Sequence, residues 1–106
     1  MAASPSGMTD MEIDQQPPLT DIKLDEIGEA IGNNQNLVRL GLLLGFQESK
    51  IHMFRATNHS DGQVTAKGTK NMLFAWRNKT RGADQVRNLR DALEKAQLVL
   101  IAEEHL

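Results

Sequence analysis

The chain has 106 residues, with 12 basic and 14 acidic side chains for a formal charge of −2, three Phe, one Trp, no Tyr and no Cys. That is enough chain for one domain with a modest, mostly aliphatic core, and too little for two. The lack of thiols excludes a disulfide framework, a cysteine-based zinc site and a cysteine nucleophile, so a reducing, cytoplasmic location is the expectation.

Residues 1 to 18 are small and polar, end in Gln15-Gln16-Pro17-Pro18 and hold no apolar period, which predicts a disordered tail or leader. No apolar run approaches the ~20 residues that span a bilayer, and Met1 to Gly7 lacks the basic and apolar regions of a secretory signal. No membrane contact by this segment is expected.

From Leu19 a single domain to Leu106 is predicted. Thr20 is placed to cap a first helix carrying Leu24, Ile27 and Ile31, with Asp21 in its first turn and Gly32-Asn33-Asn34 as its stop. A short second helix from about Asn36 to Leu44 carries Leu37, Leu40 and Leu44, and Gly45 ends it. The third, Glu48 to about Arg55, points Ile51 and Phe54 inward, and Asn58 to Gly62 reads as a polar loop.

The fourth helix is predicted from near Val64 to Asn78, with Thr69, Met72, Leu73 and Trp76 on its inner side. Gly68 weakens it by about 1 kcal/mol relative to Ala, so its first turns fray or lie close to another backbone. Asp84 is the expected cap of a fifth helix bearing Val86, Leu89, Leu93 and Ala96, and Leu98 to Glu104 forms a sixth. No stretch alternates with period two for long enough to suggest a sheet. The fold class is therefore all-α, with Leu24, Ile27, Leu40, Leu44, Ile51, Phe54, Leu73, Trp76, Leu89 and Leu93 as its core.

Two passages carry a family likeness. Met72-Leu73-x-x-Trp76, a charged loop, Val86-x-x-Leu89-x-x-x-Leu93 and Leu98-x-Leu100-Ile101-Ala102 resemble the C-terminal half of a death domain. Leu37-x-x-Leu40-x-x-x-Leu44-Gly45-Phe46 followed by Ser49-Lys50-Ile51 is similar to that family's second and third helices. The chain lacks the Arg-x-Asp-Leu run that death-effector domains carry near their end, and nothing favours a caspase-recruitment domain. It departs from the death-domain pattern at Leu37, where an aromatic residue is common, and at Leu42 and Leu43, where polar residues are common.

The resemblance implies a six-helix antiparallel Greek-key bundle without catalytic activity or cofactor. It implies an adaptor-like role in apoptotic or inflammatory signal transduction, through homotypic binding to death domains of receptor tails, adaptors or kinases, self-association included.

Charge adds a mechanism. Residues 1 to 31 hold seven acids against Lys23, whereas residues 67 to 90 hold seven bases against Asp84. Asp21, Asp25 and Glu29 on helix 1 and Lys67, Lys70 and Arg77 on helix 4 thus form two unlike faces, through which one molecule is expected to meet the next. At least one of Leu42 and Leu43 must turn outward, where either helix 5 or the N-terminal tail covers it or it stands exposed as an apolar anchor flanked by Arg39 and Lys50.

Other chemistry finds less support. His52, His59 and Asp61 lack the spacing of a helical metal site, Asp25, Glu26 and Glu29 lack a partner nucleophile, and the serines and threonines lack any nucleophile-elbow or phosphate-loop context. The alternative function is a small helical nucleic-acid binder using the basic helix 4 and 5 region, opposed by the sequence pI near 5.9 and by the lack of exposed aromatic platforms.

Overall fold

A computed structural model describes residues 18–60 and 62–106. Apart from Pro18, the tail expected over residues 1 to 18 lies outside the described residues.

Helix α1 spans Asp21–Ile31 and starts where the Thr20 hydroxyl accepts the Lys23 N–H at 3.1 Å. Helix α2, Leu37–Leu43, follows a turn in which Asn34 Oδ1 accepts the Asn36 N–H at 2.7 Å. It ends before Gly45, whose φ of 96° is open to glycine and strained for other residues. Helix α3 spans Glu48–Thr57, α4 Lys67–Asn78, α5 Gln85–Lys95 and α6 Val99–His105. The six-helix bundle is as expected, with α1 packed on α4 and α6, α3 on α2 and α4, and α5 on α2 and α6.

Leu24, Ile27, Leu37, Leu40, Ile51, Met72, Leu73, Leu89 and Leu93 are fully buried, and Trp76 is 3% exposed. Each contributes about 1.5–3 kcal/mol of burial, so the core rests on these stripes rather than on helix propensity. The crossing of α3 and α4 is set at Gly68, where a Cβ would overlap the Phe54 carbonyl oxygen. Close backbone approach, not fraying, is thus what this glycine provides.

Several expectations are corrected. Helix α4 begins at Lys67 rather than near Val64, and the expected polar loop is a two-stranded ribbon, β1 (His59–Ser60) against antiparallel β2 (Gln63–Val64). At its base Asn58 is fully buried, since its Oδ1 accepts the Thr69 N–H at 3.1 Å while its Nδ2 donates to Thr69 Oγ1 at 3.0 Å and Asn33 Oδ1 at 3.1 Å. Thr69 Oγ1 donates in turn to Gly32 O at 2.7 Å, so the ends of α1 and α3 and the start of α4 share one polar joint.

Phe54 is half-buried rather than in the core, lying edge-on to Phe46 with ring centroids 5.5 Å apart. Asp84 does not cap α5. Its carboxylate accepts from Arg87 Nη2 at 2.8 Å, and a 3-10 turn, Gly82–Asp84, leads into the helix instead. The neighbouring Gln85 takes over the anchoring: its Oε1 accepts the Leu19 N–H at 2.8 Å and its Nε2 donates to Thr80 O at 3.0 Å.

Candidate interaction surfaces

The expected acidic and basic faces lie side by side on α1 and α4 and neutralise each other within one molecule. Lys70 Nζ reaches Asp25 Oδ1 at 3.1 Å and Glu29 Oε2 at 2.5 Å. Arg77 Nη1 reaches Asp21 Oδ1 at 2.6 Å and also donates to Leu19 O at 3.0 Å. Hydrogen bonds from the Lys70 ammonium to Glu29, then Asp25, raise its pKa above the usual lysine value, against the opposing effect of burial.

This corrects the picture of two separate charged patches. The physical reason is that α1 packs on α4, so side chains 41 to 56 residues apart in sequence face each other across one seam. The cations sit inward, with side chains 23% exposed at Lys70 and 21% at Arg77, while the carboxylates of Asp21, Asp25 and Glu29 stay more than half exposed. Outward, the seam therefore shows acid. Lys67 is exposed and forms no ion pair with a described residue.

The same acidic surface carries an apolar residue that the charge pattern obscured. Ile22 is 73% exposed and lines a hollow with Asp21, Asp25, Glu26 and half-buried Phe74. The signal was present in the helix period: Ile22 precedes the buried Leu24 by two residues, which turns it about 200° away from the core.

On α2 both Leu42 and Leu43 are exposed, at 51% and 42%. Of the cations near them, Lys95 pairs with Asp91 at 3.1 Å, while Arg39, Lys50 and Lys79 have no carboxylate partner among the described residues. Arg39 Nε donates to Lys95 O at 3.1 Å. Lys79 and Lys50 bracket the Phe46 and Phe54 pair, with Lys79 Nζ 4.1 Å from the Phe46 centroid and Lys50 Nζ 5.7 Å from that of Phe54. Such cation–π contacts hold a charge in place without cancelling it. Leu43 also borders a cleft of about 420 Å³ with Lys79, Thr80, Asn88, Asp91 and Lys95, and Trp76 lies at its wall.

The rest of the basic run does not form one stripe. Arg81 and Arg87 share Asp84, at 4.0 and 2.8 Å, and Arg90 Nη2 bonds the Leu106 carbonyl oxygen. His52 pairs with Glu48 at 3.6 Å, His59 Nε2 meets Asn33 Nδ2 at 3.3 Å, and no three described His, Asp or Glu side chains could jointly hold a metal ion. No described helix is long and apolar enough to cross a membrane.

The sequence matches the family model for the Death domain over residues 21–105, from the first residue of α1 to the last of α6. No curated protein and no solved structure matched it.

Proposed function

This chain belongs to the death domain family, whose members are generally protein–protein interaction modules, and we propose that it binds other death domains, without catalysis, to assemble signalling complexes in the cytoplasm. The contact is head-to-tail between unlike faces: the acidic α1 surface around Ile22 on one molecule against the leucine surface of α2 on the next. Partners are death domains of receptor tails, adaptors or kinases in apoptotic or inflammatory signalling, or further copies of this chain.

The observation that carries this reading is the pair of exposed apolar anchors with opposite charge around them, Ile22 among Asp21, Asp25 and Glu26, and Leu42 and Leu43 beside Arg39, Lys50 and Lys79. An exposed ion pair contributes only about 0.2–1 kcal/mol, whereas burying a leucine or isoleucine contributes about 1.5–3 kcal/mol. The anchors therefore supply affinity and the charges supply orientation. Asp25 and Glu29 keep exposed oxygens for a partner while Lys70 holds them from the inner side, as Arg77 holds Asp21. Because the two faces differ, the contact leaves one of each free and can propagate.

The test uses Ile22→Lys and Leu43→Glu, followed by sedimentation at low and high salt. Each variant alone is expected to lose assembly while keeping its helicity. Mixed, they should give a dimer, because the intact α1 face of one meets the intact α2 face of the other. Where the wild type stays monomeric, the same variants are scored against a purified death-domain partner. Binding unchanged in both variants would sink the reading.

A further inference from the structure

We infer that the acidic segment Asp10-Met11-Glu12-Ile13-Asp14 is an intramolecular ligand of the cleft between the C-terminal end of α4 and the outer side of α5, where it covers Leu43.

The entry point of the chain selects this cleft. Pro18 packs on Gly82 of the 3-10 turn, so close that a Cβ on that glycine would lie 3.0 Å from Pro18 Cγ, and the next residue is tied down by the bond from its N–H to Gln85. Pro18 thus sits at the connection between α4 and α5, against Gly82, which is two residues from Thr80 at the near end of the cleft. Asp14 is four residues from Pro18 and Asp10 eight, reaches of about 13 and 27 Å for extended chain. Helix α5, which forms one side of the cleft, is about 16 Å long. The segment can therefore run the whole length of the cleft from Thr80 to Lys95.

Charge matches as well as length. Lys79 and Lys95 line the cleft against one carboxylate, Asp91, which pairs with Lys95 at 3.1 Å, and at the start of α5 Arg81 and Arg87 share the single carboxylate of Asp84. Lys79 has no carboxylate partner among the described residues and rests on the Phe46 ring. The segment brings three acids, Asp10, Glu12 and Asp14, and no base, interleaved with Met11 and Ile13. Acids meet the lysines, and the two apolar side chains meet Leu43, which is 42% exposed. Leu43 is the exposed apolar residue of a cleft whose wall also holds buried Leu44, Trp76 and Ala92 and whose rim is Lys79, Thr80, Asn88, Asp91 and Lys95, so both halves of the segment's alternation have a counterpart.

Tethering makes a weak contact sufficient. A short linker gives an effective concentration on the order of millimolar, so a segment with millimolar intrinsic affinity is about half docked. The consequence for assembly rests on the reading of Leu43 as part of the partner surface. A docked segment occupies that leucine, and the apparent affinity for a partner falls by the fraction of molecules left open.

The chain contains no cysteine, so Thr9→Cys gives the full chain one site for a nitroxide label at the far end of the segment. At low salt the label should selectively broaden the amide signals of Leu43, Asn88 and Lys95, and the broadening should vanish when Asp10, Glu12 and Asp14 are all changed to Lys. Unbroadened signals at these three residues, or broadening that survives the charge reversal, overturns the inference. This readout needs no partner, so it stands apart from the proposed assembly. In the second arm the same triple reversal, unlabelled, should raise partner affinity about twofold. Selective broadening without that rise would keep the docking and refute Leu43 as a partner contact instead.

Discussion

The seam between α1 and α4 and the outer surface of α2 are both rich in charge, yet their charges are used differently. In the seam each half-buried cation has a carboxylate within 3.1 Å, and Lys70 has two. Beside α2, Lys50 and Lys79 rest on aromatic rings and Arg39 on a backbone carbonyl, and two leucines stand open beside them. Internal partners turn charge into a fastening between helices. Charge fixed in position without a carboxylate partner remains available for recognition, and the number of charged residues in a stretch does not distinguish the two uses.

The largest expected effect removes the wall that both regions share. Trp76→Ala deletes a buried indole from between the α4 stripe and α5, costing about 3–5 kcal/mol of a total near 5–15. The variant should melt far below the parent or fail to fold. An unchanged melting temperature would show that the cleft wall is not part of the core.

A smaller effect separates the two regions. Lys70→Glu replaces the central cation of the seam with a third carboxylate and should destabilise the fold by about 1–2 kcal/mol, more than the loss of one exposed pair because the remaining charges repel. Chemical denaturation measures it. The same contact gives an alkaline limb. Because the folded-state pKa of Lys70 is raised, its contribution is complete below the unfolded value of 10.5 and is lost as pH rises through the higher folded value. The parent should therefore lose stability above that range, and Lys70→Met should lack this part of the loss.

The smallest effect is on α2. Leu42→Ser together with Leu43→Ser should change stability by no more than about 0.5 kcal/mol, since both side chains are already largely solvated. A loss comparable to that of Lys70→Glu would mean that these leucines serve the fold, and the contrast between the regions would fail.

The helices were legible because each writes its own period: Leu24, Ile27 and Ile31, then Leu73 and Trp76, then Val86, Leu89 and Leu93 mark inner faces without reference to other helices. Ends marked by local chemistry, Thr20 and Gly45, were equally readable. The cancellation of Asp25 and Glu29 by Lys70 was not, because it depends on which two helices become neighbours, information absent from either segment alone. Asn58 likewise reads in the sequence as part of a polar loop, since its burial depends on Thr69 and Asn33 arriving from two other elements. For Asp84 a plausible local rule lost to a nearby competitor: the side chain bonds Arg87 in preference to the helix start.

The Asn58 joint has a direction as well as a strength. The backbone N–H of Thr69 can only donate, which fixes Oδ1 of Asn58 as acceptor, and the Thr69 hydroxyl gives its single proton to Gly32 O and so must accept from Asn58 Nδ2. That leaves Asn33 Oδ1 accepting from the same amide and Asn33 Nδ2 donating to His59 Nε2. A neutral His59 ring that accepts at Nε2 in this contact carries its proton on Nδ1. A tautomer at the surface is selected by a peptide group in the interior, relayed through two asparagines that each have only one way to face.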